Sequence, residues 1–217
     1  WEKIEDKKEF LLKKDKFGCN ILHFLSLRKV ECQKYPFVWD FIKDNCPDEL
    51  EALILDINSE NDNFITLTVK FGTKSSLEFL FEKLSSLQLL SVLREKGRNN
   101  ENLLQLVSGS EIDAIKYLWD IFERTLTKNL LMEVLNEKDD NKNVLMHSIA
   151  SKVNSEEAFD FMFFKICENF EDGETLRNYL MTKNASGKNP LMMALNSTIL
   201  LHILTINKKY MTTEEIL

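Results

Sequence analysis

Three histidines and four cysteines are the side chains of this sequence best suited to chemistry, and their spacing decides what chemistry is open to them. Cys19, Cys32, Cys46 and Cys167 are separated by 13, 14 and 121 residues, with no C-x-x-C pair. A structural zinc site draws its ligands from close sequence pairs, and a small disulfide framework needs dense cysteines, so neither fits. Cys19 and His23 lie four apart and can share a helix face, but two ligands do not make a metal site. His147 and His202 fall in apolar stretches, where a hydrogen-bonded core or boundary imidazole is expected. Polar turns raise calcium binding. Asp139, Asn141 and Asn143 match calcium-loop positions one, three and five, yet Val144 stands where the sharp-turn Gly belongs and Ala150 where the bidentate Glu belongs. The run from Glu168 to Gly173 has the Gly, but Phe170 and Tyr179 occupy ligand positions. Glycine-rich phosphate loops, H-E-x-x-H and G-x-S-x-G do not occur in the sequence. The expectation is a chain that is not an enzyme and that uses no catalytic residue, cofactor or metal.

The charge balance narrows the partners. Net charge is −7, and the best basic cluster, Lys7, Lys8, Lys13, Lys14 and Lys16, is interleaved with Glu5, Asp6, Glu9 and Asp15. Phosphate-backbone binding needs a basic stripe, so this cluster reads as a solvated helix face and nucleic acid is excluded as a partner. No apolar run approaches the roughly 18 residues of a membrane-spanning helix, so direct membrane insertion is not expected. The thiols point to a reducing compartment and an intracellular, cytoplasmic location. Asn184-Ala-Ser186 and Asn196-Ser-Thr198 are then chance sequons in an Asn-rich chain.

What must position these side chains is helical. Only six Gly and three Pro occur against 15 Phe, a poor supply for the turns of a β-sandwich and a good one for short packed helices. One pattern recurs: Asn, an apolar residue or Pro, then Leu or Ile. It appears at Asn20-Ile21-Leu22, Asn63-Phe64-Ile65, Asn102-Leu103-Leu104, Asn143-Val144-Leu145 and Asn189-Pro190-Leu191, at intervals of 43, 39, 41 and 46 residues. Two residues before each Asn stands one that accepts positive φ: Gly18, Asn61, Asn100, Asn141 and Gly187. A leucine-rich stretch precedes each turn, as in Leu50–Leu55, Leu87–Leu93, Leu130–Leu135 and Leu176–Leu180. A short apolar helix and a longer one follow. Ile112, Ile115, Leu118, Trp119 and Phe122 recur at helical spacing behind Ser110 as N-cap, and Ala158, Phe159, Met162, Phe163 and Ile166 do the same.

Asp15-Lys-Phe-Gly18-Cys-Asn20-Ile21-Leu22-His23 resembles the opening D-x-x-G-x-T-P-L-H of the ankyrin repeat, and Gly187-Lys-Asn189-Pro190-Leu191-Met-Met-Ala194 keeps its Gly, Pro, Leu and Ala. The family unit is near 33 residues and these average about 42, so the units are lengthened. The resemblance implies an all-α fold, an α-solenoid of about five stacked ankyrin-like repeats over residues 1–217, with units at roughly 15–57, 58–96, 97–137, 138–183 and 184–217. An armadillo or HEAT solenoid, whose units are naturally that long, is the alternative. The resemblance also implies that His23 hydrogen-bonds to the neighbouring turn.

Such units bury their apolar faces only by stacking, giving an elongated surface suited to holding another protein. The ankyrin resemblance places partner contacts at the turn tips and concave helix face. The candidate tips are Lys16 and Phe17, Glu60 and Asn61, Asn99 and Asn100, Asp139 and Asp140, and Ser186 and Lys188. A protein–protein interaction module is the expected function; the alternative is the targeting or substrate-recruiting array of a larger enzyme, channel or effector protein. The chain reads as a fragment of that larger protein. Glu9-Phe-Leu-Leu12 and Met211–Leu217 occupy the register of the leucine-rich stretch, so the array is expected to continue past both ends. Trp119 is expected in the core, packed against the next repeat.

Overall fold

The computed structural model describes residues 7–27, 34–84, 86–194, 201–202 and 205, and among them the regular elements are helices. The chain divides into two compact units, Trp1–Arg98 and Asn99–Leu217. The first holds α1 (Lys7–Leu12), α2 (Ile21–Leu27), α3 (Lys34–Asn45), α4 (Leu50–Leu55), α5 (Phe64–Phe71), α6 (Lys74–Lys83) and α7 (Ser86–Val92). The second holds α8 (Leu103–Val107), α9 (Ile112–Thr125), α10 (Lys128–Asn136), α11 (Leu145–Lys152), α12 (Glu156–Asn169), α13 (Gly173–Leu180) and α14 (Pro190–Met193). No helix among the described residues is long and apolar enough to cross a membrane.

One sequence of elements recurs: a polar turn, a short helix, a long helix, and a third helix made by the leucine-rich stretch. That third helix is α4, α7, α10 or α13, and α1 stands in the same place before Asp15. The short helices start where they do because a side chain meets their unpaired first amides. Asn63 and Asn102 form reciprocal capping boxes with Thr66 and Gln105, and Asn189 accepts from the Met192 amide. Thr73, Thr127, Ser155 and Asp172 cap α6, α10, α12 and α13. Helix α9 departs from expectation, for its N-cap is Glu111, with no side-chain cap bond. The Ser110 amide instead donates to Val107 O at 2.9 Å, closing the turn that follows α8 and delaying the new helix by one residue.

Within each unit the short helices pack side by side, α2 on α5 in the first, and α8, α11 and α14 in order in the second. The α2–α5 seam is partly polar: Ser26 Oγ lies 2.8 Å from Thr68 Oγ1 and donates to Phe64 O at 3.3 Å. Trp119 is fully buried and meets Phe161 of the following long helix edge to face at 6.3 Å. Its indole N–H is buried with no hydrogen-bond acceptor, so this side chain contributes through packing alone. Trp119→Ala is expected to cost about 3–5 kcal/mol in chemical denaturation, the range for truncating a buried large aromatic.

One copy starts its short helix differently. Val144 occupies the cap position of α11 and has no acceptor to offer. The hydroxyl of Tyr179, from α13, accepts from the Met146 amide at 3.4 Å and donates to Leu135 O at 3.1 Å. Complete burial raises the pKa of this phenol, so it stays protonated and can donate. Tyr179→Phe leaves an amide and a carbonyl unpaired and is expected to cost about 1–3 kcal/mol. Val144→Asn restores a cap acceptor, so the same substitution made in that background should cost measurably less in urea titrations; an equal cost would deny the substitution of one cap by the other.

Candidate protein-binding surface

Four of the five turns are built around a side chain that folds back on its own backbone. Asp15 Oδ1 accepts from the Phe17 and Cys19 amides, both at 2.8 Å. Asn58 Oδ1 takes the Glu60 and Asp62 amides, Asp139 Oδ1 those of Asn141 and Asn143, and Asn184 Oδ1 those of Ser186 and Lys188. These side chain-to-backbone loops set a tight turn whose third following residue takes positive φ: Gly18, Asn61, Lys142 and Gly187. At Gly18 a Cβ would also come within 3.4 Å of Asn58 Cα in the next turn. Residue 97 is a glycine with no such side chain, and there Asn99 and Asn100 both take positive φ.

Backbone hydrogen bonds tie successive turns together. The Ser59 amide donates to Phe17 O at 2.8 Å, the Asp140 amide to Asn99 O at 2.9 Å and the Ala185 amide to Asn141 O at 2.7 Å. Because each link uses the same two turn positions, neighbouring tips within a unit are held at a fixed separation.

A second ladder runs inside this edge, three residues after the cap. His23 Nδ1 accepts from the Asn20 amide at 3.1 Å, and its Nε2 lies 3.1 Å from Asp62 O in the next turn. An amide can only donate and a carbonyl can only accept, so the ring is neutral with its proton on Nε2. His147 repeats the arrangement with the Val144 amide and Lys188 O, and Gln105 does so with the Asn102 amide and Asn143 O. Thr66 accepts from the Asn63 amide in the same position.

The equivalence of His23 and His147 corrects the register of the fourth copy by one residue. Val144, not Asn143, is the counterpart of Asn20, and the positive-φ residue is Lys142, not Asn141. The signal was present in the sequence: His147 follows Val144 by the same three residues that separate His23 from Asn20.

Of the candidate tips, Lys16, Phe17, Glu60, Asn61, Asn99, Asn100, Asp140, Ser186 and Lys188 are exposed. Asp139 is not a tip. It is 6% exposed, because its carboxylate faces inward to hold two backbone amides and the Asn143 side chain. The first-unit edge carries mixed chemistry, with Lys16 Nζ 4.9 Å over the Phe17 ring and Arg98 paired to Glu60 at 3.2 Å. Exposed pairs of this kind contribute little stability and leave both groups available to a partner. Ser59 and Arg98 are exposed at the turns of the first unit, and Lys142 at a turn of the second.

The remaining reactive side chains do not converge. Cys19 is buried and takes a weak bond from Asn58 Nδ2 at 3.7 Å, Cys46 is buried, and Cys167 is half-buried. His202 Nε2 lies 2.6 Å from Asp160 Oδ1, its Nδ1 lies 3.7 Å from Glu156, and its ring meets Phe159 edge-on. Among the described residues no three His, Cys, Asp or Glu side chains are placed to hold a metal ion. Cys32, Asn196 and the Met211–Leu217 stretch lie outside the described residues.

No family model matches the sequence, and no curated protein matches it. Among solved structures, a chain of the complex between a predatory endopeptidase from Bdellovibrio bacteriovorus and an immunity protein is similar in fold. The TM-score is 0.54 at 12% identity, covering 85% of this chain and 77% of that one.

The inner ladder makes stability depend on pH. Burial is the main cause that lowers the pKa of His23 and His147 below 6.5, outweighing the bonds to Asp62 and Lys188. Between the lowered folded value and 6.5 the unfolded chain binds more protons, so stability is fully present above 6.5 and is lost as pH falls. Gln105 already fills this position with both bonds intact. The variant His23→Gln/His147→Gln should therefore stay folded and show a flatter fall of the unfolding midpoint between pH 7 and 5. An unchanged slope would remove these imidazoles as its source.

Proposed function

We propose that this chain is a lengthened ankyrin-type repeat array that binds a protein partner through its turn tips and the short helices beside them. The observation that carries this reading is a division of labour within four of the five turns. Asp15, Asn58, Asp139 and Asn184 spend their polar atoms on their own backbone, and backbone links hold the turns in register. The residues between them are exposed and chemically varied, from Lys16 and Phe17 to Glu60, Asp140 and Lys188. A rigid frame carrying variable side chains loses little conformational freedom on binding, which favours recognition of a folded or extended protein surface. The His23 geometry also supports the ankyrin assignment, since its ring reaches the neighbouring turn as that resemblance implies. The similar fold in the endopeptidase–immunity assembly is that of a chain in a protein–protein complex.

The reading is tested by placing a photo-cross-linking amino acid at position 17, 60, 140 or 186, and at Asp120 on the exposed side of α9 as control, in cells of the natural source. Protein adducts are expected at the tips and not at position 120. Adducts of equal yield at position 120, or none at any tip, would reject the assigned surface.

A further inference from the structure

We infer that a cleft between α10 and α13, in the second unit, takes an extended segment of polypeptide of low net charge, held mainly through its main chain. The cleft separates the third helices of successive copies, and none of the turn tips lines it. Two residues join α9 to α10 and three join α12 to α13. Beside that longer link the space amounts to about 510 Å³, within the range that holds a small ligand. Two rows of side chains face each other across it. Asn129, Met132 and Asn136 come from α10, at steps of three and four residues that keep them on one helix face. Thr175 and Asn178 come from α13, with Thr182 just past its end. Phe170 closes one end, its ring 4.9 Å from that of buried Tyr179.

The polar atoms left over set the chemistry. Asn136 Nδ2 donates to Met132 O and Asn169 Nδ2 to Lys165 O, both at 2.8 Å, so each leaves its Oδ1 as an acceptor. Among the described residues the Asn129 and Asn178 side chains have no hydrogen-bond partner, and each offers a donor and an acceptor together. A peptide unit presents the complementary pair, one N–H and one C=O. Asn129 and Asn136 are about 10.5 Å apart along the helix axis, the length of about three residues of extended chain. Side chains of such a chain alternate in direction, so one of them meets the adaptable Met132 thioether and the Phe170 ring. Charge of neither sign gathers at the edge. Lys128 faces Glu171 at 3.2 Å, and Asp172 is turned to the Thr175 amide at 2.8 Å. A segment with an apolar side chain and little net charge is therefore the occupant that fits.

The test selects a displayed library of short random peptides on the whole chain, then follows the enriched peptides by calorimetry and by backbone amide chemical shifts. Binders sharing one apolar position are expected, with shift changes concentrated in residues 128–136 and 169–182. Asn129→Ala/Asn178→Ala should weaken them by about tenfold or more, through the hydrogen bonds lost. Both side chains are exposed, so the unfolding midpoint should not move. N-methylation of a central amide of the peptide should weaken binding comparably, a readout that needs no variant of the protein. Four results overturn the inference: no binder from the library, binders that leave the cleft residues unshifted, N-methylation tolerated at every amide, or neutral oligosaccharides that shift the cleft residues where peptides do not. A binder that shifts only the turn tips is the second of these. The cross-linking experiment probes those tips and can succeed or fail independently.

Discussion

The buried asparagine at the start of the short helices is the interaction on which the rest of this architecture hangs. Its Oδ1 accepts from the first amides of its own helix, as Asn20 does from Leu22 and His23, and Asn102 from Gln105. Its Nδ2 points the other way, to a carboxylate two residues ahead of the next turn: Asp56 for Asn20, Glu95 for Asn63 and Glu137 for Asn102. A carboxamide carries donor and acceptor on one short arm, so a single side chain fixes both where a helix begins and where the following turn lies. Aspartate lacks the donor and serine the reach. With both ends committed, the group is buried without an unmet bond, and the turn beyond it is free to expose its tip.

The fourth copy has lost that residue and compensates for it. Val144 has no donor for the carboxylate position, and there the chain has Thr182 in place of an acid. Both halves of the pair are gone together, and Tyr179 supplies the missing acceptor from a different helix. Removing the acid alone would leave a buried asparagine amide unpaired, which costs more than losing the pair.

Most of this could be read from the residues themselves. Helical periodicity, cap residues and positive-φ residues gave an all-helical chain and the turns of four copies, because each rests on local chemistry that a letter reports. The fourth turn lies one residue from where the recurring letter puts it: Asn143 stands next to the true position, and positive φ at Lys142 is imposed by Asp139 and not by lysine. Asp139 looked like a solvated tip for a related reason, since a carboxylate turned inward onto its own backbone has the same sequence as one turned outward. The Tyr179 bond joins residues 33 apart in sequence and leaves no local trace.

In the first four copies the position three residues after the cap holds His23, Thr66, Gln105 and His147, and in the fifth it holds Met192. What persists there is a geometric role, an acceptor one to three bonds beyond Cβ that meets the cap amide, and imidazole, hydroxyl and carboxamide all satisfy it. A lineage under selection for that role is free to exchange the letters while the bond survives. Sequence comparison counts letters, so divergence of this kind erases detectable kinship long before it disturbs the backbone. The vocabulary in which relatives of this chain remain recognisable is one of donors, acceptors and their spacing along the chain.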